Sequence, residues 1–457
     1  MSTADAKAHL DQGAGEPTEG FITSADLKDA FDDLEAAWQA DIAAVGGSGT
    51  GSLIVASSQA PLAVRAVANY VCDGTNDEAQ INAAILEAAA IPGTLTDPNS
   101  DGGAGRVFLT AGRYNIADSV LMRTGVALQG QGWLTELFAV SSLAGAGVIE
   151  IVDADAHAFT ISDLWVNGNG TTGSAHGIYF DATGGGDFSE RPDTNPDSYI
   201  TIDHVLVSNC KASGADRHGF YLKGTSGGSR AAKLINCHSW VCDGYGFYLD
   251  GTSDCHLTDC TASTAGSGST QHGFVIAGGN TQLIGCKSYY CEGNGFHLTS
   301  GRVNMIGCVA QDNAYWGFYM SSSDGNIVGG QADSNGRLDN SAGNGGGFYV
   351  ATSCTIVGVN VFDRAQTPGS PQLIGFEIAS ALNKCLISGR VEVPSGSNHV
   401  VNPSNLSSSS NIINIVRSDT TPLQYPGSGG SSGVSTLNLG VGVSNGDPDD
   451  GTLIVRH

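Results

Sequence analysis

The sequence predicts an all-β solenoid, a coil of short parallel strands, with a short N-terminal α-helical segment and a C-terminal β appendage. Three observations predict it. A unit ending in Gly-apolar-x-apolar recurs between residue 160 and about residue 393, a second short strand rides in each unit, and glycine fills 65 of 457 positions while only 14% of residues are charged. Each repeat is too small to bury its own apolar face, so neighbouring repeats must stack to make a core.

The recurring glycines are Gly177, Gly219, Gly246, Gly273, Gly295, Gly317, Gly347 and Gly375. From the second copy on they lie 27, 27, 22, 22, 30 and 28 residues apart. Glycines are expected to serve the tight corners where φ is positive. The second strand leads into Cys210, Cys237, Cys260, Cys286 and Cys308, which are expected to share one buried, reduced column. Leucine-rich repeats have a similar period but require an LxxLxL signature that this chain lacks.

Composition narrows the function. A formal charge of −25 would repel nucleic acid and anionic lipid, so no nucleic-acid partner is expected. No apolar run is long enough for membrane insertion, and residues 1–10 have no secretory h-region. Eleven cysteines without CxxC pairs argue against a zinc site, and neither metal nor cofactor is expected.

Four segments follow. In residues 1–50, Leu27, Phe31, Leu34, Trp38, Ile42 and Val45 form one helical stripe ended by a Gly/Ser linker. So apolar a stripe needs a partner, either another chain or its own domain. Residues 51–105 hold a helical cap through Ile81 and Ile85, leading into the coil of residues 106–400. Residues 401–457 form a C-terminal appendage with strands expected at 436–443 and 452–455.

The run Asp73-Gly74-Thr75-Asn76-Asp77, followed by Gln80-Ile81-Asn82-Ala83-Ala84-Ile85, is similar to the opening motif of the pectate-lyase-like superfamily of right-handed parallel β-helix proteins. The strand Val107–Leu109, Gly112-Arg113-Tyr114 and Leu128-Gln129-Gly130-Gln131-Gly132 keep that family's order, with Ala111 where proline is usual. The resemblance covers roughly residues 66–400. Within it, bacteriophage tail-spike and minor tail proteins resemble the whole chain best. That implies a virion protein released by lysis, a homotrimer joined to other tail proteins through its N-terminal segment, and a host cell-surface or cell-wall glycan as ligand. Some such proteins also depolymerise the glycan, as a hydrolase or a lyase. A stand-alone polysaccharide lyase or hydrolase and a purely structural tail component are the alternatives.

Strand alternation points the first and third apolar residues of each unit inward and the middle one outward. The outward row is Tyr179, Tyr221, Tyr248, Val275, His297, Tyr319, Tyr349 and Glu377. Its aromatic members could stack on sugar rings, with Tyr179, Tyr221, Tyr248, His297, Tyr319 and Tyr349 as the glycan-binding candidates. The same row equally fits a subunit interface. Asp216, Asp243 and Glu292 each stand three residues before a recurring glycine, with Thr270 between the last two. Glycosidic cleavage uses two carboxylates about 5 Å apart for retention or about 6.5–9.5 Å for inversion. Successive turns, about 4.8 Å apart, could supply either spacing. Acids at glycine-rich turns are also commonly just solvated. The insertion from Asp181 to Ser198, with Asp187, Glu190, Arg191 and Asp193, is a further candidate site wall.

Overall fold

The computed structural model describes residues 51–91 and, with short breaks, residues 105–424; the longest of those breaks is 184–199. The apolar stripe of residues 27–45, Asp187, Glu190, Arg191, Asp193, Asp216, Thr270 and both expected C-terminal strands lie outside the described residues.

Most turns of the coil contribute three short strands, such as Ala232–Ile235, His238–Trp240 and Phe247–Asp250, and in others the first two merge into one, as in Ile200–Ser208. They assemble into a 22-stranded sheet and an 11-stranded sheet. Pairing is parallel from turn to turn, except where Ile412–Arg417 meets Pro422–Gln424 in antiparallel fashion at the C-terminal end. Such a coil puts like residues over like, and the core shows it. Phe220, Phe247, Phe274, Phe296, Phe318, Phe348 and Phe376 form one face-to-face column, fully buried, with ring centroids 4.6–5.0 Å apart. These are the inward residues of the Gly-Phe-x-apolar unit, and burying each is worth about 1.5–3 kcal/mol.

The recurring glycines are not corner glycines. None of them has a positive φ. Instead the backbones of successive turns approach so closely that a Cβ at Gly246 would lie 2.7 Å from the Gly273 carbonyl oxygen, and one at Gly295 would lie 2.6 Å from that of Gly317. Left-handed backbone does occur, in other columns. One runs through His204, Asn236, Asp259, Gly285 and Gly307, a second through Asn209, Val241, Thr264, Tyr290, Asp312 and Ser334, and a third through Asp254, Asn280, Arg302 and Asp324. Most of these residues stand at a strand end, where the chain turns toward the next face, while His204 bends the strand Ile200–Ser208 from within.

All eleven cysteines are buried free thiols, but the expected column of five is a column of four. Cys237, Cys260, Cys286 and Cys308 stack, with Cys260, Cys286 and Cys308 each directing Sγ to a carbonyl of the preceding turn. Cys210 instead stacks beside Cys242, because Ser208 pairs with Trp240 and places it one corner further along.

The coil begins earlier than the helical cap. Ser52–Ala56 already pairs in parallel with Arg106–Leu109, and a short helix, α1 (Leu62–Val67), follows it. Helix α2 (Glu78–Ala89) then closes the end of the core with Ile81, Ala84, Ile85 and Ala88. The opening motif fastens this cap. Asp77 accepts the N–H groups of Gly74 and Asn115 (both 2.8 Å), and Asn82 accepts that of Leu121 (2.8 Å), so its acids and amides are structural.

Candidate functional site: an aromatic face of two rails

Register brings the outward row together as the sequence implies. Tyr179 lies beside Tyr221, Tyr221 beside Tyr248, Tyr248 beside Val275, Val275 beside His297, His297 beside Tyr319, Tyr319 beside Tyr349 and Tyr349 beside Glu377. The Tyr221 and Tyr248 rings stack at 4.8 Å, and those of Tyr319 and Tyr349 at 4.4 Å. Two members are not exposed as expected: Val275 and Glu377 are each 6% exposed. Residues of the adjoining turns flank this row, and Glu377 accepts the Gly343 N–H from one of them at 2.6 Å.

Those turn residues make a second rail that strand alternation did not reveal. One position before the recurring glycine stand His176, His218, Tyr245, His272, Asn294 and Trp316. His176 stacks on His218 at 5.0 Å, His218 on Tyr245 at 4.8 Å and Tyr245 on His272 at 5.4 Å, all within 11° of parallel. Strand-rail rings meet this rail edge-on, as Tyr248 meets His218 at 5.2 Å and His297 meets His272 at 4.5 Å. The signal was present in the sequence as a polar aromatic residue recurring at a fixed offset. Its inward tilt depends on a turn conformation that alternation does not describe.

Backbone hydrogen bonds fix the state of these imidazoles. Nδ1 of His176 accepts the His218 N–H (3.0 Å), Nδ1 of His218 that of Tyr245 (2.8 Å), and Nδ1 of His272 that of Asn294 (2.9 Å). In the next turn the Asn294 Oδ1 accepts the Trp316 N–H at 3.0 Å in the same manner. An imidazole accepting at Nδ1 carries its hydrogen on Nε2. Burial, with the Arg217 charge, depresses His176 to about 4. Burial likewise lowers His218 to about 3, helped by His176 and Arg217, and His272 to about 3, helped by His297. Along this face the histidines are therefore neutral donors at neutral pH.

Carboxylates cluster toward one end. Asp181 accepts from Tyr179 Oη (2.8 Å) and pairs with Lys223 (3.0 Å), while Asp250 accepts from Tyr221 Oη (3.1 Å). Burial works upward on the Asp181 carboxyl, but hydrogen bonds from Thr183, Lys223 and Tyr179 outweigh it and hold it well below the usual range. Burial and the Asp250 charge push the Tyr248 hydroxyl up to about 12.

The candidate catalytic acids are differently placed. Asp243 is half-buried in its turn, its N–H donating to the Cys210 carbonyl at 2.9 Å. Glu292 is held by Arg337 at 2.9 Å, and that guanidinium also lies 4.5 Å over the Tyr290 ring. Among the described residues no group of three or more His, Cys, Asp or Glu is arranged to hold a metal ion, and no helix is long and apolar enough to cross a membrane.

Residues 218–369 match the family described as the right-handed beta helix region. The chain is a right-handed parallel β-helix. This β-helix is similar to the enzymatically active domain of tailspike protein 2 of bacteriophage CBA120, with 18% identity, a TM-score of 0.52, and 74% of this chain and 52% of that one covered. It also matches a full-length tailspike protein 2 from an Escherichia coli O157:H7 bacteriophage (17% identity, TM-score 0.49, 64% and 39% covered). A third match is the A-module of an Azotobacter vinelandii mannuronan C-5 epimerase (18% identity, TM-score 0.45, 72% and 92% covered). The β-helix thus spans about half or less of the two tailspike chains. No curated protein sequence matches it.

Proposed function

We propose that this chain is a receptor-binding protein of the phage tail-spike kind, which lays a bacterial surface polysaccharide along its aromatic face. The observation that carries the reading is the pair of aromatic rails, interrupted only at Val275 and Asn294. From Tyr179 to Tyr349 they offer ring faces, ring edges and neutral N–H donors at the rise of the coil. Sugar rings present apolar faces and a fringe of hydroxyls, so each can stack on a ring and hydrogen-bond beside it. A long polymer gains from many weak, evenly spaced contacts on a rigid scaffold. The fold it shares with a bacteriophage tailspike domain supports the phage setting.

In this reading residues 1–50 attach the protein to other tail proteins and help assemble a homotrimer, residues 51–105 cap the coil and lead into it, residues 106–400 carry the ligand, and residues 401–457 form a terminal appendage. The virion is its place of action. Glycan binding is the activity this face supports, and among the candidate acids Glu292 is paired with Arg337. The test is to incubate the full chain with bacterial cell-wall polysaccharides and measure both retention and release of reducing ends. Retention without new reducing ends is expected. Cleavage would move the reading to a depolymerase, and no retention on any polysaccharide, with a monomer in light scattering, would end it.

A further inference from the structure

The two ends of the aromatic face differ in charge. Around Tyr179, Tyr221 and Tyr248 stand Asp181, Lys223 and Asp250. Toward the other end lies a groove of about 420 Å³ with no Asp, Glu, Lys or Arg in its wall. Its polar groups come from Tyr245, Gln271, His272, Asn294 and Tyr319, and Trp316 forms part of its lining.

Two of these groups are N–H donors. His272 has its Nδ1 occupied by the Asn294 N–H, which leaves the hydrogen on Nε2. Trp316 is 1% exposed, and its indole N–H has no hydrogen-bond partner. A buried N–H left unpaired is costly, and a native fold keeps such a group where something else completes it.

We infer that this groove is a subsite for one uncharged sugar residue, whose hydroxyl or amide oxygen accepts from Trp316 and His272 while its ring lies against Tyr245 and Tyr319. The inference rests on the glycan-binding reading and adds a substrate class to it. A uronate suits it less well. Its carboxylate would meet only neutral donors and no cation to offset the loss of its hydration. At the rim the Gly343 N–H donates to Glu377 (2.6 Å) and the Asn344 amide to Asp339 (3.0 Å), so both neighbouring carboxylates already accept a hydrogen bond.

The experiment uses the full chain with four probes of equal length, oligomers of N-acetylglucosamine, glucose, galacturonate and mannuronate, in isothermal titration. One neutral oligomer is expected to bind at least tenfold more tightly than either uronate. His272→Asn keeps the acceptor for the Asn294 N–H, as Asn294 itself does one turn later, and removes only the Nε2 donor. It should weaken that binding about three- to tenfold, the size of one lost hydrogen bond. In chain labelled with 5-fluorotryptophan, the Trp316 fluorine signal, identified by its loss in Trp316→Phe, should shift with the neutral oligomer and stay fixed with the uronates. Tighter uronate binding, failure of all four probes, or neutral binding that leaves both His272→Asn and the Trp316 signal unaffected would each overturn the subsite. Retention of cell-wall polysaccharide by the same preparation would then show that the broader reading stands without it, and loss of that retention as well would show that both had failed.

Discussion

Nδ1 of His218 accepts the backbone N–H of Tyr245 at 2.8 Å, and the two rings lie face to face with centroids 4.8 Å apart. One side chain thus reads the backbone of the next turn and supports its side chain. Repeated at His176 and His272, this contact makes the display of the face a consequence of the coil's own pitch. It also links the protonation of the rail to folding.

His176 titrates at about 4 and His218 and His272 at about 3, against an ordinary value of 6.5, with burial as the leading cause. Between the folded and unfolded values the unfolded chain binds more protons, so stability rises with pH across that window. It is fully present above about pH 6.5 and is lost as pH falls toward 3. By pH 5 each of these histidines should have cost on the order of 2 kcal/mol. Melting curves from pH 7 to pH 4.5 would show the decline, and His218→Asn, which retains an acceptor for the Tyr245 N–H, should make it shallower. An unchanged slope would mean that His218 is not buried in its neutral form.

Glu292 and Arg337 are 28% and 13% exposed at their side chains, so their pairing falls between a surface and a buried ion pair. Glu292→Gln should lower stability by about 1–2 kcal/mol and leave glycan retention unchanged. Loss of retention at unchanged melting temperature would return Glu292 to the ligand site.

Val241 has φ 56°, a left-handed conformation that a β-branched residue adopts only under strain, and the equivalent corner of other turns holds Asn209 or Asp312. Val241→Gly should relieve about 1 kcal/mol of that strain. The complementary change, Gly307→Val in another corner column at φ 64°, should cost a similar amount. Chemical denaturation of both variants checks the pair; opposite signs are required.

Much of this fold is legible in the sequence because a solenoid repeats one local decision. Phe220 and Phe247 face inward for the same reason, and one glycine spacing locates both. What stayed hidden depends on how turns meet. Gly246 looks like a corner glycine until the Gly273 carbonyl is placed beside it, and Cys210 looks like a partner of Cys237 until the nine-residue strand Ile200–Ser208 is seen to span both faces. Ser52–Ala56 was obscured by the Gly/Ser-rich residues before it. At the site, alternation located the tyrosines of the strand rail but not His218 or Trp316, whose orientation follows from a turn rather than a strand.

The strand rail is the decisive target, and its half-buried rings change what substitution should do. Tyr221 and Tyr248 touch each other and the His218 ring, and Tyr319 touches Tyr349 and His297. Replacing Tyr221, Tyr248 and Tyr319 together by Ala should therefore lower the melting temperature as well as glycan affinity, since each lost ring pair is worth about 0.5–1.5 kcal/mol. Replacement of all three by Phe separates the two effects. The stacked rings remain and stability should hold, apart from a small loss at Tyr221, whose hydroxyl donates to Asp250. Ring stacking on sugar should also remain. Retention of polysaccharide by the Phe variant and its loss in the Ala variant would establish the rail as the binding surface. If the oligomer dissociates in the Ala variant while retention survives, the rail is instead a contact between subunits and the ligand lies on another face.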